Sequence, residues 1–127
     1  MLTKLPKDSE KFHWTSHIKN KMIFYRISEN RIRLILKSAD RREEGIAPNT
    51  TAAMKRNNTK KRKEEIWIMY QKQDARKKQE KKSALKKIRK IKYTMISAWR
   101  YPGTTKAGAR VPVPDDIISE LGLDDFF

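Results

Sequence analysis

Two short runs rich in β-branched and aromatic residues constrain the fold of this chain more than any other feature. The run at 65–71 reads EIWIMYQ, in which alternate side chains fall on opposite faces of a strand. The run at 88–99 has the same texture, and strict alternation places Met95 and Trp99 on one face. The residues between them, 72–87, carry no apolar stripe. We therefore predict a β-hairpin from which 72–87 projects as an insertion, either an exposed helix or a loop.

The N-terminal third carries two patterns typical of short helices. The first helix is expected to begin after Thr15 or Ser16, because either side chain can cap a helix whose apolar positions follow at i, i+4 and i+7. The second begins after Ser28, with Ile27 able to pack on Ile32 across the cap. A DNA-reading helix-turn-helix is an alternative interpretation of this pair. It needs a third helix, whereas the residues that follow have β texture.

These patterns together predict an α+β fold, with two N-terminal helices packed on a small antiparallel sheet, a basic insertion in the central hairpin and a short C-terminal helix. The expected organisation is a flexible N-terminus at 1–10, a single domain at 11–102 and an extension at 103–127 that carries an acidic short helix. Asp115 is the expected N-cap of that helix, and Gly122 is expected to end it.

The net positive charge of the chain is large and unevenly distributed along the sequence. The chain has 31 Lys and Arg against 15 Asp and Glu, a formal charge of +16. Between Lys55 and Tyr93 there are 17 basic and 4 acidic residues, whereas the last 13 residues contain no basic residue. Charge of one sign at this density attracts phosphate backbones, so RNA or DNA is the expected partner. The candidate binding residues are Lys21, Arg41, Lys60, Lys61, Arg62, Lys77, Lys78, Lys81, Lys82, Arg100 and Tyr101, the last for base stacking.

Other classes of protein are disfavoured. The chain has no cysteine, which excludes disulfides and Cys-based zinc sites, and nothing suggests an oxidising compartment. It has no apolar run long enough to span a membrane and no secretory signal pattern, so we expect a cytoplasmic protein without a membrane partner. His13 and His17 lack the HExxH spacing and a third ligand, so no metal is expected. Without a Gly-rich phosphate loop, no cofactor is expected either.

Metal-independent RNA cleavage requires a base that takes the proton of the 2'-hydroxyl, an acid that protonates the leaving oxygen, and cations around the phosphorane. His17 and Glu43 or Glu44 can supply the proton transfers, with Arg42, Arg41 or Arg100 as the cations. The competing interpretation of His17 is a half-exposed helix residue that hydrogen-bonds to a neighbour.

A resemblance to a known group rests on short motifs. His17, Met22 and Ile27-Ser28 follow the pattern H-x4-M-x4-I-S, and Ile96-Ser97-Ala98-Trp99 comes later. The chain thereby resembles small bacterial and phage domains grouped with RelE-like and barnase-like ribonuclease toxins. The resemblance implies RNA cleavage in a toxin-antitoxin setting, with His17 and Arg42 at the matching positions and an acidic antitoxin-like partner. The chain departs from the pattern at Lys21 and Tyr25, where arginines are common.

Two alternatives to a ribonuclease stay open. One is a non-catalytic module that binds DNA or RNA through the basic stretch 55–93. The other is a protein-interaction module, in which the basic loop meets an acidic partner or the acidic tail 115–127 of the same chain.

Overall fold

The computed structural model describes residues 5–74 and 91–123. Three helices and five strands follow one another along the chain, which confirms the α+β class. In order they are β1 (Phe12–Trp14), α1 (Ser16–Tyr25), α2 (Glu29–Ser38), β2 (Arg41–Glu44), β3 (Thr51–Arg56), β4 (Glu64–Asp74), β5 (Ile91–Pro102) and α3 (Asp115–Leu121).

The first two helices begin where the capping residues predict. The Thr15 side chain accepts a hydrogen bond from the backbone N–H of Ile18, and the Ser28 side chain accepts one from that of Arg31. Between the helices, Arg26 adopts a left-handed conformation with φ of 57°, and its N–H bonds back to the last turn of α1. This C-cap residue lets α2 follow α1 through a very short turn.

The five strands form one sheet in the order β1-β5-β4-β3-β2. Three of the four strand pairs are antiparallel, but β1 runs parallel to β5, with Phe12 opposite Tyr93 and Trp14 opposite Met95. The expectation of an antiparallel sheet is therefore wrong at this edge. A parallel pair needs a long crossover, and the chain from 15 to 90 provides it.

Strict alternation along β5 is also wrong. Met69 pairs with Ser97 and Tyr70 with Met95, so Ile96 is an extra residue in β5 at this β-bulge. Side chains before the bulge consequently change faces relative to those after it. Met95 lies in the core on one face of the sheet, and Trp99 lies in the core on the other.

Each face of the sheet has its own core. α1 and α2 cover the first face with Ile18, Met22, Ile32 and Ile35. The C-terminal segment covers the second face. Its buried side chains there are Val111, Ile117 and Leu123, which pack with Trp67, Met69 and Trp99.

α1 lies along the β5 edge of the sheet. At its start, the Thr15 hydroxyl donates to the carbonyl oxygens of Met95 and Ile96. At its end, the Arg100 guanidinium donates to the carbonyl oxygens of Tyr25 and Arg26. The helix therefore continues the edge that β1 begins.

The C-terminal helix forms as expected but begins differently. α3 starts at Asp115, its N-cap is Pro114, and no side chain caps it. The expectation that Asp115 is the cap is therefore wrong by one residue. Gly122 ends the helix in the left-handed conformation with φ of 68°, as predicted.

Part of the predicted hairpin lies outside the described residues, namely 75–87 of the insertion and 88–90 of the second strand. The first strand is longer than expected, since β4 includes 72–74. At the N-terminal side, the Asp8 carboxylate accepts a hydrogen bond from the N–H of Trp14 and so anchors the end of β1. No helix in the described parts of the chain has the length and apolar character needed to cross a membrane.

Candidate nucleic-acid interface

A row of three aromatic rings crosses the first face of the sheet. Phe12 on β1 and Tyr93 on β5 are register partners, and their rings stack with centroids 5.4 Å apart and planes tilted by 20°. The ring of Tyr70 on β4 contacts the ring of Tyr93 edge to face, with centroids 5.8 Å apart. Phe12 and Tyr70 are buried, whereas Tyr93 is only half-buried. Tyr93 is therefore the ring of this row that a ligand can reach most readily.

Helix α2 runs beside the aromatic row and adds cations to it. The Arg33 guanidinium lies over the Phe12 ring, 4.5 Å from its centroid, and Lys37 is exposed one turn further along the helix. Between the helix and the strands is an open groove of about 440 Å³. Its lining residues are Lys11, Phe12, Arg33, Leu36, Lys37 and Tyr93, which we call the aromatic groove.

Arg42 connects β2 to this aromatic groove. Its guanidinium donates to the Tyr70 hydroxyl at 3.0 Å and to the carbonyl oxygen of Leu36 at 3.1 Å. Lys72 pairs with Tyr93 in the β4–β5 register and, being two residues from Tyr70, shares its face. Cations thus border the aromatic rings at several positions.

One carboxylate moderates this positive charge. Glu29 pairs with Arg33 one helical turn away, at 2.8 Å. Both side chains are substantially exposed, so the pair is screened by solvent and adds little to stability. The lysines at 11, 37 and 72 are exposed and can meet phosphate oxygens directly.

His17 is placed in a different part of the molecule. Its Nε2 lies 2.9 Å from the Ser97 hydroxyl, and its Nδ1 lies 3.5 Å from a Glu120 carboxylate oxygen. Burial holds the pKa of the imidazole below its usual value, and the negative charge of Glu120 offsets this only in part. His17 therefore favours the neutral form near pH 7, and its Nε2 can then donate to or accept from the Ser97 hydroxyl, according to the tautomer.

The connectivity Ser97–His17–Glu120 has the order of a hydrolase triad, but its geometry does not suit catalysis. Ser97 is fully buried within β5, so its hydroxyl cannot reach a substrate carbonyl or phosphate. The contact fixes α1 against the strand. This arrangement agrees with the interpretation of His17 as a helix residue bonded to its neighbours.

Lys21 is a buried cation rather than a surface one. Its side chain is 7% exposed, and its Nζ lies 2.8 Å from Asp116 and 2.9 Å from Glu120. Burial alone would lower the pKa of this ammonium, but hydrogen bonds to the two carboxylates raise it above the usual value. Tyr25 joins the cluster, since its hydroxyl donates to Asp116 at 2.9 Å.

Arg41 and Glu43 belong to a network on the second face. The Arg41 side chain is 1% exposed and donates to Glu43, to the Thr105 hydroxyl and to the carbonyl oxygen of Ala109. Glu43 also accepts from the N–H of Gly108, and these contacts hold the pKa of its carboxyl below the usual range. Arg41 is therefore buried away from solvent, and Glu43 is already bonded to Arg41 and Gly108.

The buried carboxylate of Glu65 completes that network. Glu65 is fully buried and accepts hydrogen bonds from the Trp67 indole and from both the N–H and the hydroxyl of Thr105. Arg41 and Glu65 thus share Thr105 as a partner. Together they fasten the segment after β5 to the sheet.

The remaining candidate binding residues divide into three groups. Arg100 is half-buried and pairs with Glu64 at 2.6 Å, and Tyr101 packs against the second core. Lys60, Lys61 and Arg62 are exposed in the loop between β3 and β4. Lys77, Lys78, Lys81 and Lys82 lie outside the described residues.

The three residues nominated for catalysis do not converge. Arg42 and Glu43 lie on β2, at the opposite edge of the sheet from α1, with β3 and β4 between them and β5. At the usual strand spacing, β2 is about 14 Å from β5, beyond direct contact with His17. Arg42 also points to the first face of the sheet and Glu43 to the second.

Within residues 5–74 and 91–123, no three side chains of the metal-ligating types gather at one place. No known protein family, characterised protein or solved structure matches the chain. The fold and the groove define an α+β protein with an aromatic and cationic surface on one face of its sheet. Function must therefore be inferred from that surface.

Sequence reasoning missed most of this groove. Phe12 and Tyr93 are far apart in the chain and meet only because β1 pairs with β5. Arg33 and Lys37 could have been noticed, because two basic residues four apart lie on one face of the predicted second helix. Arg42 was nominated for catalysis, and the structure places it beside the aromatic row instead.

Proposed function

We propose that the protein binds single-stranded nucleic acid, preferably RNA, in the aromatic groove. The observation that carries this proposal is the half-buried Tyr93 ring, which is stacked on Phe12 and flanked by Arg33 and Lys37. Proteins bind unpaired nucleotides by stacking bases on aromatic rings or guanidinium planes while cations contact the phosphates.

The charge of the connection between β4 and β5 supports the same proposal. Asp74 and Ile91 are paired at the end of the hairpin, and the Lys72–Tyr93 pair lies two positions before them. The sequence 75–90 that joins them contains nine Lys or Arg and one Glu. Its two described neighbours, Asp74 and Ile91, lie two positions from the Lys72–Tyr93 pair, and positive charge at this density attracts polyanions.

We propose binding without cleavage at this groove. The chain has only two histidines. His17 is bonded to Ser97 at the β5 edge, and His13 alternates with Phe12 on β1 and pairs with Asp8. Neither is placed to act as a base beside Tyr93. The resemblance to ribonuclease toxins thus supports RNA as the ligand more than it supports a reaction.

A pair of single-charge variants tests the proposal. Lys37→Gln removes an exposed cation from the groove, and Lys106→Gln removes an exposed cation that follows β5 in the segment on the second face. With labelled single-stranded RNA, the first variant should bind several-fold more weakly. The negative slope of log K against log[salt] should become shallower by about 0.7, the value for one phosphate contact on a single strand.

The control variant Lys106→Gln should bind single-stranded RNA with an affinity close to that of the wild type. Equal losses in the two variants would show that only total charge matters and would overturn the assignment to the groove.

Single-stranded DNA, double-stranded RNA and double-stranded DNA serve as competitors. Competition by duplexes as effective as that by single-stranded RNA would contradict a base-stacking site. Gel analysis of the same RNA after incubation tests for cleavage, and products that disappear in His17→Ala would restore the ribonuclease hypothesis.

A further inference from the structure

Three hydrogen-bonding side chains on α1 converge on two carboxylates of α3. His17, Lys21 and Tyr25 are spaced four residues apart, so they form one stripe along the helix. Lys21 contacts both Asp116 and Glu120, Tyr25 contacts Asp116, and His17 approaches Glu120. One anion-binding surface therefore faces the short acidic helix.

These three side chains have the chemistry that a phosphate group requires. An ammonium, a phenol hydroxyl and an imidazole N–H can all donate to phosphate oxygens, and here carboxylate oxygens occupy the positions that phosphate oxygens would take. The stripe does not depend on α3 for its arrangement. α1 is held to the sheet by buried Ile18 and Met22 and by the contacts of Arg100 at its C-terminal end.

The acidic helix, in contrast, has few constraints of its own. α3 is seven residues long, and Pro114 provides no side-chain cap. Ile117 is its one fully buried residue. Helices this short are not stable in isolation, so α3 depends on its packing against the second core. It contributes one buried side chain, fewer than α1 or α2, so local opening of α3 should cost less free energy than opening either of those helices.

We propose that His17, Lys21 and Tyr25 form a second anion-binding site, which takes phosphate groups of a polynucleotide. In the resting protein, α3 covers this site with the carboxylates of Asp116 and Glu120. A phosphate that binds there displaces the carboxylates and releases α3. The site is separate from the aromatic groove and does not require that the groove bind RNA.

Adjacent carboxylates on α3 provide a matched experiment. Asp116→Asn with Glu120→Gln removes the two masking charges, and Asp115→Asn removes an exposed charge from the same helix. Inorganic tripolyphosphate is the probe, because it has phosphates and no bases. The double variant should bind it about tenfold more tightly than the Asp115→Asn control, the order that one recovered charged hydrogen bond supplies.

Adding Lys21→Gln to the double variant should abolish this gain. Equal affinities in the double variant and the control, or a gain that survives Lys21→Gln, would overturn the proposal. Circular dichroism verifies folding, and the single variant Glu120→Gln replaces the double variant if the latter unfolds.

A measurement on the unaltered protein provides a second test. Hydrogen exchange of the α3 amides should accelerate at saturating tripolyphosphate, and exchange that is unchanged or slower would contradict displacement of the helix. Because the probe has no bases, a failure of RNA to bind in the groove leaves this outcome intact.

Discussion

The ring of Tyr93 stacks on the ring of Phe12 at 5.4 Å, across the parallel pair that β1 forms with β5. Tyr93→Leu should weaken the binding of single-stranded RNA by about 5- to 150-fold, because stacking of one base contributes about 1–3 kcal/mol. Tyr101→Leu is the control, since that ring is also half-buried but packs on the second core. Fluorescence anisotropy would measure both affinities, and equal losses would contradict a stacking role for Tyr93.

Replacing the two neighbouring arginines of β2 should have different effects: one variant should mainly lose stability, and the other should mainly lose RNA affinity. Arg41→Met should lower the free energy of unfolding by about 3 kcal/mol, because it removes a buried guanidinium that hydrogen-bonds to Glu43 and to the carbonyl oxygen of Ala109. Arg42→Met removes an exposed side chain and should cost less than about 1.5 kcal/mol, while weakening RNA binding at the groove. Urea denaturation and RNA titration of both variants check this. A smaller stability loss for Arg41→Met than for Arg42→Met would show that the buried network is not important for folding.

The neutral His17 predicts how stability depends on pH. Its pKa in the folded protein is below the value of 6.5 expected when the chain is unfolded. The unfolded chain therefore binds more protons as pH falls below about 7, and stability should decline over that range. His17→Gln should reduce this decline, whereas His13→Gln should retain it because His17 is still present. Urea midpoints between pH 7 and pH 5 measure the effect, and identical profiles for wild type and His17→Gln would exclude it.

Lowering the pH further should remove a second contribution to the stability of the folded protein, that of the Asp116 carboxylate. Burial tends to raise the pKa of Asp116, but hydrogen bonds from Lys21 and Tyr25 lower it below 3.8 overall. A lowered carboxyl pKa stabilises the folded state above the unfolded value, and this stabilisation is lost as pH falls through the folded value. In Asp116→Asn, unfolding near pH 3 should therefore depend less on pH than in the wild type. A steeper dependence in the variant would contradict the sign of this shift.

The turn between β2 and β3 requires glycine at position 45. A Cβ at Gly45 would lie within 3.0 Å of the Thr50 side chain, which is itself bonded to the carbonyl oxygen of Ala47. Gly45→Ala should therefore destabilise the protein by about 1–3 kcal/mol through overpacking. Adding Thr50→Ala should recover part of the loss. A thermal melt of Gly45→Ala that matches the wild type would show that the turn relaxes without cost.

Local patterns explain why much of the fold was predictable. Thr15 and Ser28 cap helices through hydrogen bonds within their own turns, and the Trp67 strand shows its alternation within a few residues. The extra residue Ile96 was not predictable, because its bulge depends on how β5 pairs with β4. The same limit applies to the parallel pairing of β1.

The site was less predictable than the fold because exposure is decided by tertiary contacts. Lys21 and Arg41 look like surface cations in the sequence, yet α3 and the segment after β5 bury them. Charge counting cannot identify which basic residues have buried acidic partners. The contact of Arg42 with Tyr70 was likewise not predictable, because it depends on the order of strands in the sheet.

The pairing of β1 with β5 affects how the chain folds during synthesis. Phe12 and Tyr93 are register partners even though 80 residues separate them, so this contact raises the contact order and slows folding. The first strand leaves the ribosome long before its partner does. Until β5 emerges, Phe12 and Trp14 have no strand to pair with, so these two apolar side chains stay exposed on the nascent chain over that interval.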